Sequence, residues 1–287
     1  MWIAFAFGSA FFAGTMTILA KIGIRDVNSN LVTALRTVVV VIFAWLMVFI
    51  VGSQKTLFLI DGKSIVFLVL SGLATGASWL CYFRALQQGD VAKVVPIDKS
   101  STVLTMLLAF IFLGEGLTWP KVLAMLLIGF GTYLMAAKKT ADKGSSRSSG
   151  WFIYALLAAV FASLTAILAK IGITSVESNL GTAIRTMVVL VLAWLIVIFQ
   201  GKHREIKDIK RKSWAFIGLS GLATGLSWVC FFRALQEGPA GIVVPIDKLS
   251  ILFTIAFGYV IFKEKLHRKS GVGLFMILAG TISLLVL

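Results

Sequence analysis

Ten long apolar runs dominate the sequence, and each is about as long as a membrane-spanning helix. About 20 residues of helix cross the roughly 30 Å of hydrocarbon in a bilayer. Backbone groups in lipid have no water to bond, so such segments form helices with internal hydrogen bonds. The sequence therefore predicts an all-α integral membrane protein with ten transmembrane helices. Their approximate spans are 2–21, 30–52, 64–88, 91–113, 119–137, 151–170, 179–201, 213–236, 240–262 and 270–287.

The composition favours lipid over water as the solvent of this chain. Hydrophobic residues make up 59% of the 287 residues, and mean hydropathy is +0.98, whereas soluble domains are roughly half apolar. The net charge of +15 comes mostly from Lys and Arg between the apolar runs, where such residues set membrane orientation. We therefore expect the partner to be a lipid bilayer, and not nucleic acid.

The two cysteines, Cys81 and Cys230, lie inside apolar runs. Thiols in this setting are typical small core residues rather than a disulfide framework or a metal site. The sequence also lacks a nucleotide-binding loop and the common catalytic motifs. We predict no cofactor, no metal ion and no enzymatic activity.

The chain is an internal duplication. Four motifs return 149 positions later without a gap: LAKIGI, SGLATG, FRALQ and VVPIDK, which begin at positions 19, 71, 83 and 94. A fixed-offset repeat of this kind indicates two copies of one structural unit. We predict a first five-helix repeat at 1–137, a polar linker at 138–150 and a second five-helix repeat at 151–287.

An odd number of helices per copy makes the two repeats enter the membrane in opposite directions. The result is an inverted repeat, an arrangement found in many secondary transporters. Lys and Arg concentrate in alternate loops, with the largest clusters at 202–212 and 263–269. Because basic loops favour the cytoplasm, the pattern predicts a multi-pass plasma-membrane protein with both termini non-cytoplasmic.

The five-helix unit, its LAKIG start, the SGLATGxSWxCxFRALQ helix and the VVPIDK helix resemble the EamA-type domain of the drug/metabolite transporter superfamily. The resemblance covers nearly the whole chain, twice. It implies ten helices around a central cavity, alternating access, and transport of small metabolites or drugs without a bound cofactor. Ten-helix members usually keep both termini in the cytoplasm, whereas the charge bias here predicts the reverse.

The strongest candidates for function are charged residues at membrane depth, because such groups are costly there. Asp98 and Lys99 lie about seven residues into the fourth predicted helix, and Asp98 comes two residues after Pro96. A proline removes a backbone donor and loosens the helix, which resembles the interrupted helices that bind substrates in transporters. Asp98, or its equivalent, is a candidate proton carrier. Alternatively, these residues pair with one another or with Arg36 for folding. The second copy repeats the arrangement with Pro245, Asp247 and Lys248.

Arg36 and Arg185 lie about six residues into the second helix of each copy. Each is a candidate partner for an intramembrane aspartate or a substrate carboxylate, since the guanidinium fork suits carboxylates. The alternative is a side chain that extends to the headgroups. That second interpretation is the one we favour for Arg84 and Arg233, which lie near helix ends.

Trp79 and Trp228 lie near the middle of their helices, away from the interface where membrane tryptophans usually lie. We expect them either to line a substrate cavity or to pack in the core. Neighbouring polar candidates are Thr75, Ser78, Tyr82, Thr224 and Ser227. Four glycines with GxxxG spacing predict close helix contacts, namely Gly72, Gly76, Gly221 and Gly225.

Together these features predict a secondary transporter of a small metabolite or drug. If Arg36, Arg84, Lys99 and their equivalents share a cavity with two aspartates, the excess positive charge favours an anionic or zwitterionic solute, such as an amino acid. The alternative function is a flippase for lipid headgroups or lipid-linked sugars. We expect the fused pair of repeats to work as a monomer.

Overall fold

The computed structural model describes residues 1–24, 27–136, 150–263 and 268–284. The predicted linker, apart from Gly150, and part of the basic cluster at 263–269 lie outside these residues. All regular elements of the described part are helical. The first unit contains α1 (Trp2–Gly23), α2 (Ser29–Val51), α3 (Gly62–Gln88), α4 (Val91–Lys99), α5 (Ser101–Leu113) and α6 (Trp119–Ala136). The second contains α7 (Gly150–Gly172), α8 (Ser178–Phe199), α9 (Arg211–Glu237), α10 (Ala240–Lys248), α11 (Ser250–Phe262) and α12 (Arg268–Ser283). Short 3₁₀ helices follow α2 and α8 at Ser53–Leu59 and Lys202–Asp208.

These helices make the protein a multi-pass membrane protein. Within the described ranges, 8 segments are long and apolar enough to cross a membrane. Two of them, Lys93–Leu113 and Ala240–Phe262, each contain two consecutive helices. A shorter apolar helix spans Trp119–Met135, and α12 packs along it. The full count of ten spans stays a prediction.

Helices of one unit pack mainly against helices of the other. Helix α1 lies along α9, its equivalent α7 lies along α3, and α2 and α6 pack against their own equivalents, α8 and α12. The α2–α8 pair is antiparallel, because Asn30 at the start of α2 donates a 2.8 Å hydrogen bond to Gln200, which follows α8. Most of the contacts between helices therefore join one unit to the other.

The lysine of the repeated LAKIG stretch joins helix ends. Lys21 of α1 donates a 3.0 Å hydrogen bond to the carbonyl of Gly89, directly after α3. Lys170 of α7 does the same to Gly238, directly after α9, at 2.9 Å. A cation is favourable at a helix C-terminus, where carbonyls lack intrahelical partners. The repeated lysine therefore fixes the first helix of each unit to the end of the third.

The GxxxG glycines lie where α3 crosses α8 and where α9 crosses α2. A methyl group at Gly72 would lie 2.8 Å from the carbonyl oxygen of Arg185, and one at Gly221 would lie 3.0 Å from that of Arg36. Side chains would prevent this close backbone approach. The four glycines at these crossings are Gly72, Gly76, Gly221 and Gly225.

We expect Gly221→Ala to lower the free energy of unfolding by about 1–3 kcal/mol, since the added methyl group overpacks the crossing. Gly218→Ala is the matched control, because a methyl group at Gly218 of the same helix has no atom within 4 Å. Thermal unfolding in detergent measures both. A Gly221→Ala protein as stable as the Gly218→Ala protein would contradict the close contact.

Candidate functional site

Two helices end in the middle of the bundle, next to charged residues. Helix α4 ends at Lys99 and α5 begins at Ser101, while α10 ends at Lys248 and α11 begins at Ser250. A cation in the last turn is favourable next to the free carbonyls of a helix end. Each interruption follows the aspartate–lysine pair of the repeated VVPIDK motif.

Pro96 and Pro245 lie inside the short helices α4 and α10, and not at the interruptions themselves. The chain leaves the helix at Ser100, whose amide donates to both Pro96 (3.1 Å) and Ile97 (3.0 Å). Such shared bonds are common where a last turn tightens. The sequence thus predicted a loosened helix near the prolines, and the interruption lies one turn after them.

A cavity of about 140 Å³ lies beside the two interruptions. For scale, a cavity of about 150 Å³ holds benzene, so this one suits a solute of similar size. Its walls consist largely of equivalent residues from both units. These pairs are Ala13 and Ala162, Met16 and Thr165, Thr17 and Ala166, Thr75 and Thr224, Ser78 and Ser227, Trp79 and Trp228, Tyr82 and Phe231, Asp98 and Asp247, and Lys99 and Lys248.

The charged groups lining the cavity balance formally, with two lysines and two aspartates. The Lys99 ammonium group interacts electrostatically with the side chains of Lys248, Asp98 and Asp247. The side chains of Lys99, Lys248 and Asp98 make no hydrogen bond or ion pair with another residue of the described part. Since an unpartnered charge away from bulk water is costly, water or a solute in the cavity has to satisfy these groups.

Asp247 differs from its equivalent, Asp98, because its carboxylate accepts a hydrogen bond from a serine. Ser9 of α1 donates a short hydrogen bond to the Asp247 carboxylate, and the Ser9 hydroxyl lies 3.3 Å from that of Ser227. The position equivalent to Ser9 is Ala158, which has no hydroxyl to offer Asp98. The two halves of the cavity are therefore chemically unequal at their aspartates.

Arg36 and Arg185 lie behind the cavity wall rather than in it. Both are 0% exposed. Arg185 donates to Ser71 and Thr75 at 2.8 Å each, and Arg36 donates to Thr224 at 2.6 Å. Each arginine of one unit therefore holds a polar residue of the other unit's third helix, and neither extends to the headgroups.

Aromatic rings separate the arginines from the cavity. The Arg36 guanidinium lies 5.4 Å from the ring centre of Trp79 and 4.4 Å from that of Phe83. Arg185 lies likewise over Trp228 and Phe232. The two indoles meet at 4.8 Å between ring centres. Such cation–π contacts stabilise a desolvated guanidinium, so the tryptophans both line the cavity and shield the buried charges.

The structure brings most of the predicted site residues together. The aspartates, lysines, tryptophans and neighbouring hydroxyl residues share the cavity, whereas Arg84 is exposed elsewhere. The sequence reasoning missed Ser9, Thr17 and Thr165 on the first helix of each unit. Their only signal is a small polar side chain in an apolar helix, which is common in membrane proteins.

Comparison with known proteins agrees with a transport role. The profile of the EamA-like transporter family matches residues 1–137 and 149–286. A Sinorhizobium protein named "Uncharacterized transporter in cobO 3'region" is 43% identical over 139 residues, which make up 48% of this chain and 99% of that protein. An "Uncharacterized transporter" of Archaeoglobus fulgidus is 26% identical over 79% of this chain and 78% of its own length.

A solved structure has the same fold. One crystal structure superposes with a TM-score of 0.73 over 98% of this chain and 95% of its own, at 16% sequence identity. At that identity the likeness shows a shared fold and nothing more. The family match, however, extends over both five-helix units, and the chain therefore belongs to the EamA-like transporter family.

Proposed function

We propose that this protein is a secondary transporter that moves a small anionic or zwitterionic solute, such as an amino acid, through the cavity between its two units. The observation that carries this proposal is the charged cavity itself, with three charged side chains that lack a partner among the described residues. Transporter sites typically lie at a repeat interface beside discontinuous helices.

The proposed mechanism is alternating access by two inverted five-helix repeats, with ten spans in the plasma membrane and both termini outside the cytoplasm. Antiparallel packing of the equivalent helices α2 and α8 supports the inversion. Family membership and the cavity between the two units support a route that opens to one side of the membrane at a time.

One end of the bundle carries a contact that has to break for that end to open. Glu115, which follows α5, accepts hydrogen bonds from the backbone N–H groups of Ala240 (2.8 Å) and Gly241 (2.9 Å) at the start of α10. A carboxylate at a helix N-terminus is favourable because it meets unpaired donors and the positive end of the helix dipole. It joins the first unit to the second.

The chemistry of the cavity indicates the solute. Lys99 and Lys248 provide free ammonium groups for a carboxylate or phosphate, and Asp98 provides an acceptor for an amine. The small volume and the Trp79–Trp228 wall suit a compact solute with some apolar surface. Asp98 and Asp247 are also the proposed proton carriers, since they are the carboxylates that line the cavity.

Uptake into proteoliposomes tests the proposal. Amino acids, organic anions and cationic drugs are compared with and without a pH gradient. We expect Ala162→Trp to abolish uptake of the accepted solute, because Ala162 lines the cavity and an indole fills it. Leu164→Trp on the same helix is the control, since Leu164 is 36% exposed on the outer surface.

We expect the Leu164→Trp protein to keep wild-type uptake. Equal uptake by both variants would mean that the solute does not pass through this cavity. Failure of the wild-type protein to accumulate any anionic or zwitterionic solute would contradict the proposed substrate class.

A further inference from the structure

A second recess lies apart from the central cavity, near the start of α2 and the ends of α3 and α8. It has a volume of about 650 Å³, and its polar wall consists of Asn28, Asn30, Arg84, Gln200 and Lys202. We call this recess the Arg84 groove. It shares no lining residue with the central cavity.

The polar residues of the Arg84 groove lie at or near helix ends, and the ends of membrane-spanning helices are where hydrocarbon gives way to headgroups. Asn28 caps the start of α2, Gln200 follows the end of α8, and Lys202 begins a 3₁₀ helix. Deeper along the groove the wall becomes apolar, with half-buried Leu80 and Ile196. A polar upper wall over an apolar lower wall matches a phospholipid headgroup with its attached glycerol and acyl chains.

The cations of the groove are available to a ligand. Arg84 contacts only a neutral partner among the described residues, the Gln87 carbonyl oxygen at 3.3 Å. Lys202 pairs with Glu205, but both side chains are 39% exposed, and such surface pairs contribute little to stability. An anion that binds Arg84 and Lys202 would therefore displace only two weak interactions, those with Gln87 and Glu205.

The duplication provides a built-in comparison for these cations. Arg233 is the equivalent of Arg84, but it forms a 2.7 Å ion pair with Glu237. The position equivalent to Glu237 in the first unit is Gln88, which carries no charge. Arg233 thus has an acidic neighbour on its own helix, whereas the equivalent neighbour of Arg84 is neutral.

Three further polar positions of the groove also differ between the units, whereas Asn30 has the same residue, Asn179, at its equivalent position. Asn28, Gln200 and Lys202 correspond to Glu177, Val51 and Ser53 in the other unit. The groove, which residues of both units form, therefore has two amides and a cation where the equivalent place has a carboxylate, an apolar residue and a hydroxyl. The same backbone arrangement thus carries more positive charge at the Arg84 groove than at its counterpart.

We propose that the Arg84 groove binds the headgroup of an anionic phospholipid. The phosphate lies between Arg84 and Lys202, the amides of Asn30 and Gln200 bond its ester and glycerol oxygens, and the acyl chains follow Leu80 and Ile196. This lipid is a resident ligand, separated from the transported solute by the body of α3, whose Trp79 and Tyr82 face the cavity instead.

Native mass spectrometry of the purified full-length protein tests this site. The probes are dioleoyl-phosphatidylglycerol, dioleoyl-phosphatidylcholine and soluble glycerol 3-phosphate. We expect wild-type protein to bind the anionic lipid at least about tenfold more tightly than the zwitterionic lipid, because each basic residue near a headgroup contributes about fivefold.

Removing both cations should remove this preference. We expect Arg84→Gln/Lys202→Gln to weaken binding of the anionic lipid about 30-fold, Arg84→Lys/Lys202→Arg to restore it, and the matched Arg233→Gln variant to leave it unchanged. Equal loss in the Arg233→Gln protein, or no loss in the double variant, would overturn the site. Binding of glycerol 3-phosphate as tight as that of the lipid would also overturn it, since the ligand would then be a soluble anion.

Discussion

Replacing Asp98 with asparagine should abolish pH-driven uptake. Asparagine keeps the size of the side chain but cannot take up or release a proton. Asp98 lines the cavity and has no hydrogen-bond or ion-pair partner in the described part of the chain, so a solute or water in the cavity can contact its carboxylate directly. The measurement compares uptake driven by a proton gradient with solute exchange without a gradient, in proteoliposomes.

Asp247→Asn should also abolish pH-driven uptake, because Asp247 lines the same cavity. The control is Asp61→Asn, because Asp61 lies at the surface and caps α3, a role that asparagine also fills. We expect the Asp61→Asn protein to retain wild-type transport. Wild-type pH dependence in both cavity variants would remove the proton-carrier role from this site.

Replacing Lys99 with methionine should weaken solute binding about 100-fold, which corresponds to about 3 kcal/mol for an anionic group left without its buried partner. Methionine fills a similar volume without the charge. Lys99 faces the cavity and is only 8% exposed. Once its ammonium group is removed, bulk water cannot solvate the anionic group of the solute in its place. The measurement is the concentration dependence of uptake, in which KM rises while the protein stays folded.

Lys248→Met should have an effect of the same sign, since Lys248 lines the same cavity from the other unit. Lys121→Met is the control, because Lys121 is at the surface and bonds the carbonyl of Gly116. An unchanged KM in both cavity variants would show that neither lysine binds the solute. A rise in KM for Lys121→Met would indicate a general effect of charge instead.

The positions of the helices could be predicted well from the sequence, because apolar runs and repeated motifs can be read from it directly. The predicted run at 64–88 corresponds to α3 at Gly62–Gln88, and the run at 91–113 corresponds to α4 and α5 together. The interruption at Ser100 could be located only approximately. A proline loosens the turn before it, whereas the interruption lies one turn after Pro96, where the Ser100 amide bonds two carbonyls.

The contacts within the site were less predictable, since they join residues far apart in the chain. The depth of Asp98 and Lys99 followed from their place in an apolar run. The bond from Ser9 to Asp247, by contrast, spans 238 positions and depends on how α1 packs beside α10. Arg36 was expected to meet an aspartate or a headgroup, whereas it stacks on rings of α3. Hydroxyls and aromatic faces are also partners for a guanidinium, in addition to carboxylates, and sequence spacing does not show which of them an arginine meets.

A shared route through the cavity requires two equivalent units that face opposite sides of the membrane, and cysteine accessibility measures this directly. In a Cys81→Ser/Cys230→Ser background, Lys55→Cys and His203→Cys place one thiol in each of two equivalent, exposed 3₁₀ segments. We expect a membrane-impermeant maleimide added outside intact cells to label the Lys55→Cys protein, and to label the His203→Cys protein only after the cells are opened. Labelling of both positions from the same side would contradict the inverted arrangement, and with it the shared route through the cavity.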